Sequence, residues 1–390
     1  MSYHQSEGHD LKIAYFNANL KQGQDGVTRC VFRMINAAVE REDECIAVTA
    51  TLPSETPCIP MLRVPSVAFP LQKNYRIAVP GIHSFARYLH AFQPDIIHIN
   101  SPCTLGFGAM RYGREFGVPV VATYHTHFPT YPRYYNLTKL EELTWRISRS
   151  LYNSVERTFV PTNPILNELA EHGIKRLQYL PNGVDGCNFN TGFRSESWRS
   201  QFANGTKPII LFVSRLVWEK DLRVLADAYA RLRARRNDFE LVIVGEGHAR
   251  SEFEPMMPGA HFLGYQSGRT LSESFASSDI FLFPSTTETF GLVTLEAMSS
   301  GLAPIAARAG GAEEIIEDGI SGLLAHPHNA LDIAAKVEHL LDHPEQRLAL
   351  SRNAVERAKE YEWKGILTKL FASYEDVIEQ HRTKRRIHAA

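Results

Sequence analysis

Short apolar runs alternate with stretches of helical period along most of this chain, and that alternation limits its possible folds more than any other feature. In the first half the apolar runs fall at residues 12–16, 46–50, 95–99, 118–123, 158–160 and 178–180. Helical patterns lie between several of them, at 27–40, 82–92 and 105–116. A composition break rich in Asn, Ser, Gly and Thr follows at 188–208, and the alternation then restarts at 208–214, 240–245, 261–264, 279–284, 303–306 and 322–325. In 222–236, Leu222, Leu225, Ala226, Tyr229 and Leu232 share one helical face. Strands that read as unbroken apolar runs are covered on both faces, as in parallel βαβ sheets. At 390 residues the chain exceeds one ordinary core. The expected fold is therefore α/β, with two doubly wound, Rossmann-like domains and ligands at the carboxyl ends of their strands.

The expected division is a disordered leader at 1–10, an N-terminal domain at 11–187, a linker at 188–207, a C-terminal domain at 208–362, and an amphipathic helix with a basic tail at 363–390. The proline-rich interval 52–80 fits neither period. There is no internal repeat of solenoid length.

Charge and cysteine content exclude several function classes. A net charge of −1 gives no overall pull toward nucleic acid. Five scattered cysteines, none in a C-x-x-C pair, argue for reduced thiols rather than a disulfide framework or zinc site. No apolar run reaches the roughly 18 residues that span a bilayer, and the polar first residues are no secretory signal. A cytoplasmic protein is expected, with any membrane contact peripheral, on the inner face. Arg382, Lys384, Arg385 and Arg386 of the tail, and Arg231, Arg233, Arg235 and Arg236, are the cations that an anionic surface would meet.

Functional residues should follow the strands. The stretch PSTTETFGLVTLEAMSSG, residues 284–301, reads as a strand end, a glycine turn and a helix whose open N-terminus suits an anion. It carries two carboxylates, Glu288 and Glu296, which a phosphate cradle alone does not need. Arg215 and Lys220, five residues apart past the run at 208–214, are placed to hold a diphosphate; the alternative is a surface loop in which Glu219 and Asp221 pair with Lys220. Gly245 and Gly247 frame a G-x-G turn, and Gly264 and Tyr265 follow the next run. In the first half, His125 and His127 end the run at 118–123, where a substrate-facing imidazole, a metal ligand and a core histidine all compete. No D-x-D pattern occurs. Beyond them PTYPRYY concentrates Tyr131, Arg133, Tyr134 and Tyr135 in a loop suited to a sugar or anionic acceptor, and Gly26 opens the first helix.

Taken in order, QDGV, YHTHF, PNGVD, SRLVWEKD, VGEG, the E-x7-E pattern from Glu288 to Glu296 with Phe290-Gly291-Leu292 inside it, and ARAGGAEEII resemble the retaining glycosyltransferases of family 4. That resemblance implies the GT-B fold, two Rossmann-like domains facing across a cleft with a C-terminal helix returning to the N-terminal domain. It implies a hexosyltransferase using a nucleotide-diphosphate sugar, GDP-mannose or a UDP-hexose, with no metal and no cofactor. Catalysis would fall to His125, Arg215, Lys220 and Glu288. Donor binding would fall to Gly26, Gly245, Gly264, Tyr265, Phe290, Gly291, Leu292 and Glu296. Tyr131, Arg133 and Tyr134 would meet a lipid or glycan acceptor. The first loop departs from the family pattern, with Asp25-Gly26 where Gly-Gly is common. The YHTHFPTYPRYY loop is most similar to that of sulfoquinovosyltransferases and bacterial α-mannosyltransferases. Rival readings are a small soluble acceptor, a glycoside hydrolase or phosphorylase using Glu288 and Glu296, and a non-catalytic nucleotide-sugar binder.

Overall fold

The computed structural model describes residues 11–20, 26–53, 58–69, 72–79, 83–100, 103–130, 140–203, 205 and 207–389. The expected leader at 1–10 lies outside them. The chain forms two units, the first comprising Met1–Pro161, Ile165–Leu180 and Leu367–Ala390, and the second Thr162–Pro164 and Pro181–Ile366.

The first unit is built on β1 (Lys12–Asn17), β2 (Glu44–Thr49), β3 (Met61–Arg63), β6 (Ile96–Ile99), β7 (Val120–Thr123), β8 (Arg157–Val160) and β9 (Leu177–Tyr179), with β4 (Ser66–Phe69) and β5 (Gln72–Ala78) apart as an antiparallel pair. The main sheet runs β3-β2-β1-β6-β7-β8-β9, every pair parallel. Its direction of growth reverses between β1 and β6, which opens a crevice at the carboxyl ends of those two strands. Helix α1 (Gly26–Glu40) leads away from that end, burying Cys30, Val31, Met34, Ile35 and Ala38 at helical spacing.

The second unit has a six-stranded parallel sheet ordered β12-β11-β10-β13-β14-β15, from β10 (Ile209–Val213), β11 (Glu240–Val244), β12 (His261–Gly264), β13 (Ile280–Phe283), β14 (Ala303–Ala307) and β15 (Leu323–Ala325). Its reversal lies between β10 and β13, so the segments after these two strands meet at one crevice. Those segments are the SRLVWEKD and PSTTETFGL stretches. Helix α2 (Leu222–Arg233) follows the first and α3 (Leu292–Ser299) the second.

Three expectations need correction. The interval 188–207 is not a free linker: Trp198 and Arg199 are buried, and Arg199 donates to Asp279 Oδ2 at 2.9 Å, Ser277 O at 2.6 Å and Lys207 O at 3.1 Å. That guanidinium fastens the interval to the second unit. The 52–80 interval contains β3 and the β4–β5 hairpin.

The third correction concerns the basic tail, which continues helix α4 (Trp363–Ala389). From Leu367 the helix belongs to the first unit, where Phe371, Tyr374, Val377 and Ile378 are buried. Within that unit Arg382 pairs with Asp95 at 3.2 Å, Lys384 with Glu156 at 3.2 Å, and Arg385 donates to Gly117 O at 3.0 Å. These cations have partners on the protein itself, and among the described residues Arg386 is the tail cation for which no such partner is seen. In the second cluster Arg233, Arg235 and Arg236 likewise pair with Glu240, Glu338 and Asp342. None of the helices in the described residues is long and apolar enough to cross a membrane, and all five cysteines are free thiols.

Candidate active site

Lys220 and Glu288, 68 residues apart, close an ion pair at the β10/β13 crevice with Nζ 2.5 Å from Oε1. The lysine side chain is only 11% exposed and the glutamate 24%. An ammonium removed from water keeps its charge only beside a fixed counter-charge. The flanking-residue alternative for Lys220 is thereby overturned. Glu219 contributes its carbonyl to Thr287 Oγ1 at 3.0 Å, and the Asp221 carboxylate accepts from both Thr286 N and Thr286 Oγ1 at 2.9 Å. The loops after β10 and β13 are thus joined by several polar ties. Arg215, one residue beyond Ser214, is exposed, and its side chain makes no hydrogen bond or ion pair among the described residues, although its carbonyl accepts from Val217 N. It is a cation left open at the rim of the crevice.

The turn into α3 is made by Gly291 at φ 93°, a conformation an L side chain resists. Among the described residues, the N–H groups of Leu292 and Val293 have no backbone acceptor, because the first helical bonds run from Thr294 and Leu295 to Gly291 O. Phe290 supports the turn from beneath, buried at 2% exposure with its ring 5.9 Å from that of Tyr361. Its side chain is packing, so only its backbone is available to a ligand. Glu296 is buried at 5% exposure inside α3.

Glycines elsewhere make this crevice possible. A Cβ on Gly310 would lie 2.1 Å from Glu288 O, and one on Gly311 would lie 1.9 Å from Phe290 O. Gly311 N also donates to Glu288 O at 3.1 Å. The ARAGGAEEII stretch therefore clasps the backbone that carries Glu288, a role its spacing does not reveal. The G-x-G turn works in the same way: Cβ atoms on Gly245 and Gly247 would meet Ser214 O at 1.8 Å and Leu216 O at 2.2 Å. These glycines first serve the packing of the β11 loop on the Arg215 loop. Gly264, at φ 70°, accepts from Gly245 N at 2.8 Å, and Tyr265 beside it is 57% exposed. Glu246 pairs with Arg250.

In the first unit His125 follows β7 and is buried, with its Nε2 donating to Asn100 Oδ1 at 3.2 Å. Desolvation lowers its pKa to about 4, so the ring is neutral at physiological pH. Asn100, just after β6, is the residue missed by sequence reasoning: it is 1% exposed, and its Nδ2 has no partner among the described residues. Its position after the 95–99 run was the available signal. His127 is held between Tyr124 Oη at 2.7 Å and Glu168 Oε1 at 3.2 Å, with its ring against Trp145. Gly26 is the first residue of α1. Tyr131, Arg133 and Tyr134 lie outside the described residues. Among the described residues no cluster of three or more His, Cys, Asp or Glu is arranged to hold a metal ion.

Two parallel Rossmann-type sheets make the fold GT-B. Residues 24–186 match the family model described as Glycosyltransferase Family 4, and residues 194–357 match that described as Glycosyl transferases group 1. The chain is 35% identical over 320 residues to the GDP-mannose-dependent alpha-mannosyltransferase of Corynebacterium glutamicum, a match covering 82% of this chain and 76% of that one. It is 37% identical over 289 residues to the sulfoquinovosyl transferase SQD2 of Arabidopsis thaliana, covering 72% of this chain but only 56% of the plant protein's length. Sucrose-phosphate synthase from Thermosynechococcus elongatus superposes with a TM-score of 0.78 at 18% identity, over 95% of this chain and 100% of that one. The chain belongs to the group 1, family 4 glycosyltransferases.

Proposed function

We propose that this chain is a retaining hexosyltransferase that moves a hexose from a nucleotide-diphosphate sugar to a hydroxyl of a lipid or glycan acceptor, without a metal ion. The observation that carries the proposal is the Lys220–Glu288 pair at the carboxyl ends of the second sheet. It stands in the same crevice as the unpaired Arg215 and the open N–H groups of Leu292 and Val293. Cations and N–H donors serve best where negative charge develops, typically contributing ~3–4 kcal/mol for one donor. In this reading Arg215 and Lys220 hold the diphosphate, and the α3 N-terminus adds its dipole. Glu288 orients Lys220 and accepts from sugar hydroxyls, and Glu296 meets the ribose. The donor-contact roles of His125 and Gly26, which belong to the first unit, rest on the family resemblance alone.

As the reaction proceeds, the bond from the sugar C1 to the diphosphate oxygen breaks and a bond from C1 to the acceptor oxygen forms on the same face. The acceptor proton passes to the departing phosphate, so no carboxylate need act as general base. The name of the Corynebacterium glutamicum relative favours GDP-mannose as donor, and a UDP-hexose is the alternative that the family resemblance implies. A hydrolase using Glu288 as acid or nucleophile is disfavoured because its carboxylate is already engaged by an ammonium.

Thermal melting against GDP, UDP and ADP tests the donor site. A ligand at 100 times its Kd adds about 2.7 kcal/mol to the stability of the native state. Stabilisation by GDP or UDP is expected, followed by turnover of the matching sugar nucleotide with the product anomer unchanged by NMR. EDTA should leave that turnover intact. Metal-rescued loss, or an inverted anomer, overturns the respective part of the proposal.

A further inference from the structure

Asp221 stands immediately before α2, where an aspartate ordinarily takes extended backbone angles and caps its own helix through its side chain. Here it does neither. Its φ is 54°, in the left-handed region, and its side chain makes no bond to the first turn of α2. The carboxylate is turned instead to the loop after β13, where Oδ2 accepts from Thr286 N and Thr286 Oγ1, both at 2.9 Å. The other oxygen, Oδ1, lies 3.1 Å from Nδ1 of His328, which is also left-handed at φ 56°. Among the described residues only five non-glycine positions have positive φ, and this pair joins two of them. Backbone conformations of this kind persist where the surroundings impose them, and they gather at functional sites.

We infer that Asp221 is a positioning residue: it fixes the loop at 284–288 so that Glu288 meets Lys220, with His328 steadying the carboxylate. The inference rests on the function proposed above. Its geometric basis is that Lys220 and Asp221 are adjacent and the partners they engage lie two residues apart on one loop. Lys220 reaches Glu288 while Asp221 holds Thr286, and Thr287 between them donates to Glu219 O. Two neighbouring residues thus grip one loop at two points. The carboxylate contact with Thr286 decides where the loop lies, and the ammonium reads the result.

Two substitutions separate this role from a general structural one. Asp221→Gly suits the left-handed backbone and removes only the carboxylate, so relief of backbone strain offsets part of the lost hydrogen bonding and the melting temperature is expected to fall by no more than a few degrees. Hydrogen exchange at 284–288, measured without nucleotide, is expected to accelerate about tenfold. The Kd for GDP or UDP, whichever the wild type binds, should weaken about tenfold, and kcat/KM should fall by at least as much. Asp221→Asn keeps an oxygen for Thr286 and presents an amide to His328 Nδ1, and asparagine tolerates the left-handed region. It should restore loop protection and kcat/KM to within about threefold of wild type.

Wild-type exchange and kcat/KM in Asp221→Gly would overturn the inference. So would a loss of kcat/KM matched by a larger fall in melting temperature and not rescued by Asp221→Asn. If the wild type binds neither GDP nor UDP, the proposed function fails, while exchange in the free protein still decides whether Asp221 holds the loop.

Discussion

Lowering the pH from 7 to 5 is expected to destabilise the first unit by about 4 kcal/mol, through two histidines. His98, in β6, is fully buried, with Nδ1 2.5 Å from Tyr374 Oη and Nε2 2.7 Å from Thr123 Oγ1. Desolvation, with the nearby His125 adding to it, lowers its pKa to about 3, and desolvation lowers that of His125 to about 4. In the unfolded chain both titrate near the ordinary value of about 6.5. The folded state therefore binds fewer protons, and stability is fully present above about pH 6.5 and is lost as the pH falls toward the folded values. Each histidine contributes about 2 kcal/mol of that loss between pH 7 and 5. Carboxylates held low by partners, such as Glu156 and Asp376, lose their contribution only as the pH falls through their own lower range, which leaves this window to the histidines. Urea unfolding at pH 7, 6 and 5 measures the slope, and His125→Gln should remove about half of it. An imidazole of His98 or His125 that titrates near 6.5 by NMR in the folded protein refutes the reasoning.

Further tests address the crevice and its supports. Lys220→Met and Glu288→Gln should each lower turnover about 100-fold. The double variant should be little worse than either, and multiplied losses in a kinetic cycle would show that the two act separately. Gly311→Ala places a Cβ against the Phe290 backbone and should cost about 1–3 kcal/mol in the second unit, whereas Gly186→Ala, with nothing within 4 Å, should stay within about 0.5 kcal/mol. Equal melting temperatures for these two variants would contradict the clasp. Arg199→Ala strips a partner from Asp279 and should cost about 3 kcal/mol, read by denaturant unfolding; a neutral result would return 188–207 to the status of a linker.

Most strands of both sheets were legible because burial makes the central ones nearly unbroken apolar words, although Leu177–Tyr179 and His261–Gly264 are only partly buried, and the bounds of those read differ from the expected ones by one or two residues at most ends. The failures have physical causes. Met61–Arg63 is too short to show a period, and Gln72–Ala78 alternates in a hairpin outside the main sheets, with Lys73, Asn74 and Arg76 diluting its apolar content. The composition of 188–207 is that of a loop, yet Trp198 and Arg199 anchor it, and two residues barely move an average. At the site, residue types and their place after strands pointed to Arg215, Lys220 and Glu288. Their pairing could not be read, because it spans 68 residues and is set by sheet order. The same holds for Gly310 and Gly311, whose partners lie more than twenty residues away, and for the tail cations, whose partners lie in the first 160 residues of the chain.

The two units complete their structures at different times as the chain is made. Apart from Thr162–Pro164, the second unit is one contiguous stretch that ends at Ile366. The first unit begins the chain but needs Phe371, Tyr374, Val377 and Ile378 to finish its packing, and Tyr374 supplies the hydroxyl that His98 lacks until then. At roughly 5–20 residues per second, the stretch from Leu180 onward takes about 10–40 s to emerge. Throughout that interval the earlier-made half carries an uncovered apolar face and a buried imidazole missing a partner. The part synthesised first is thus the part that matures last, and its exposure to proteases and chaperones is set by the length of the other unit.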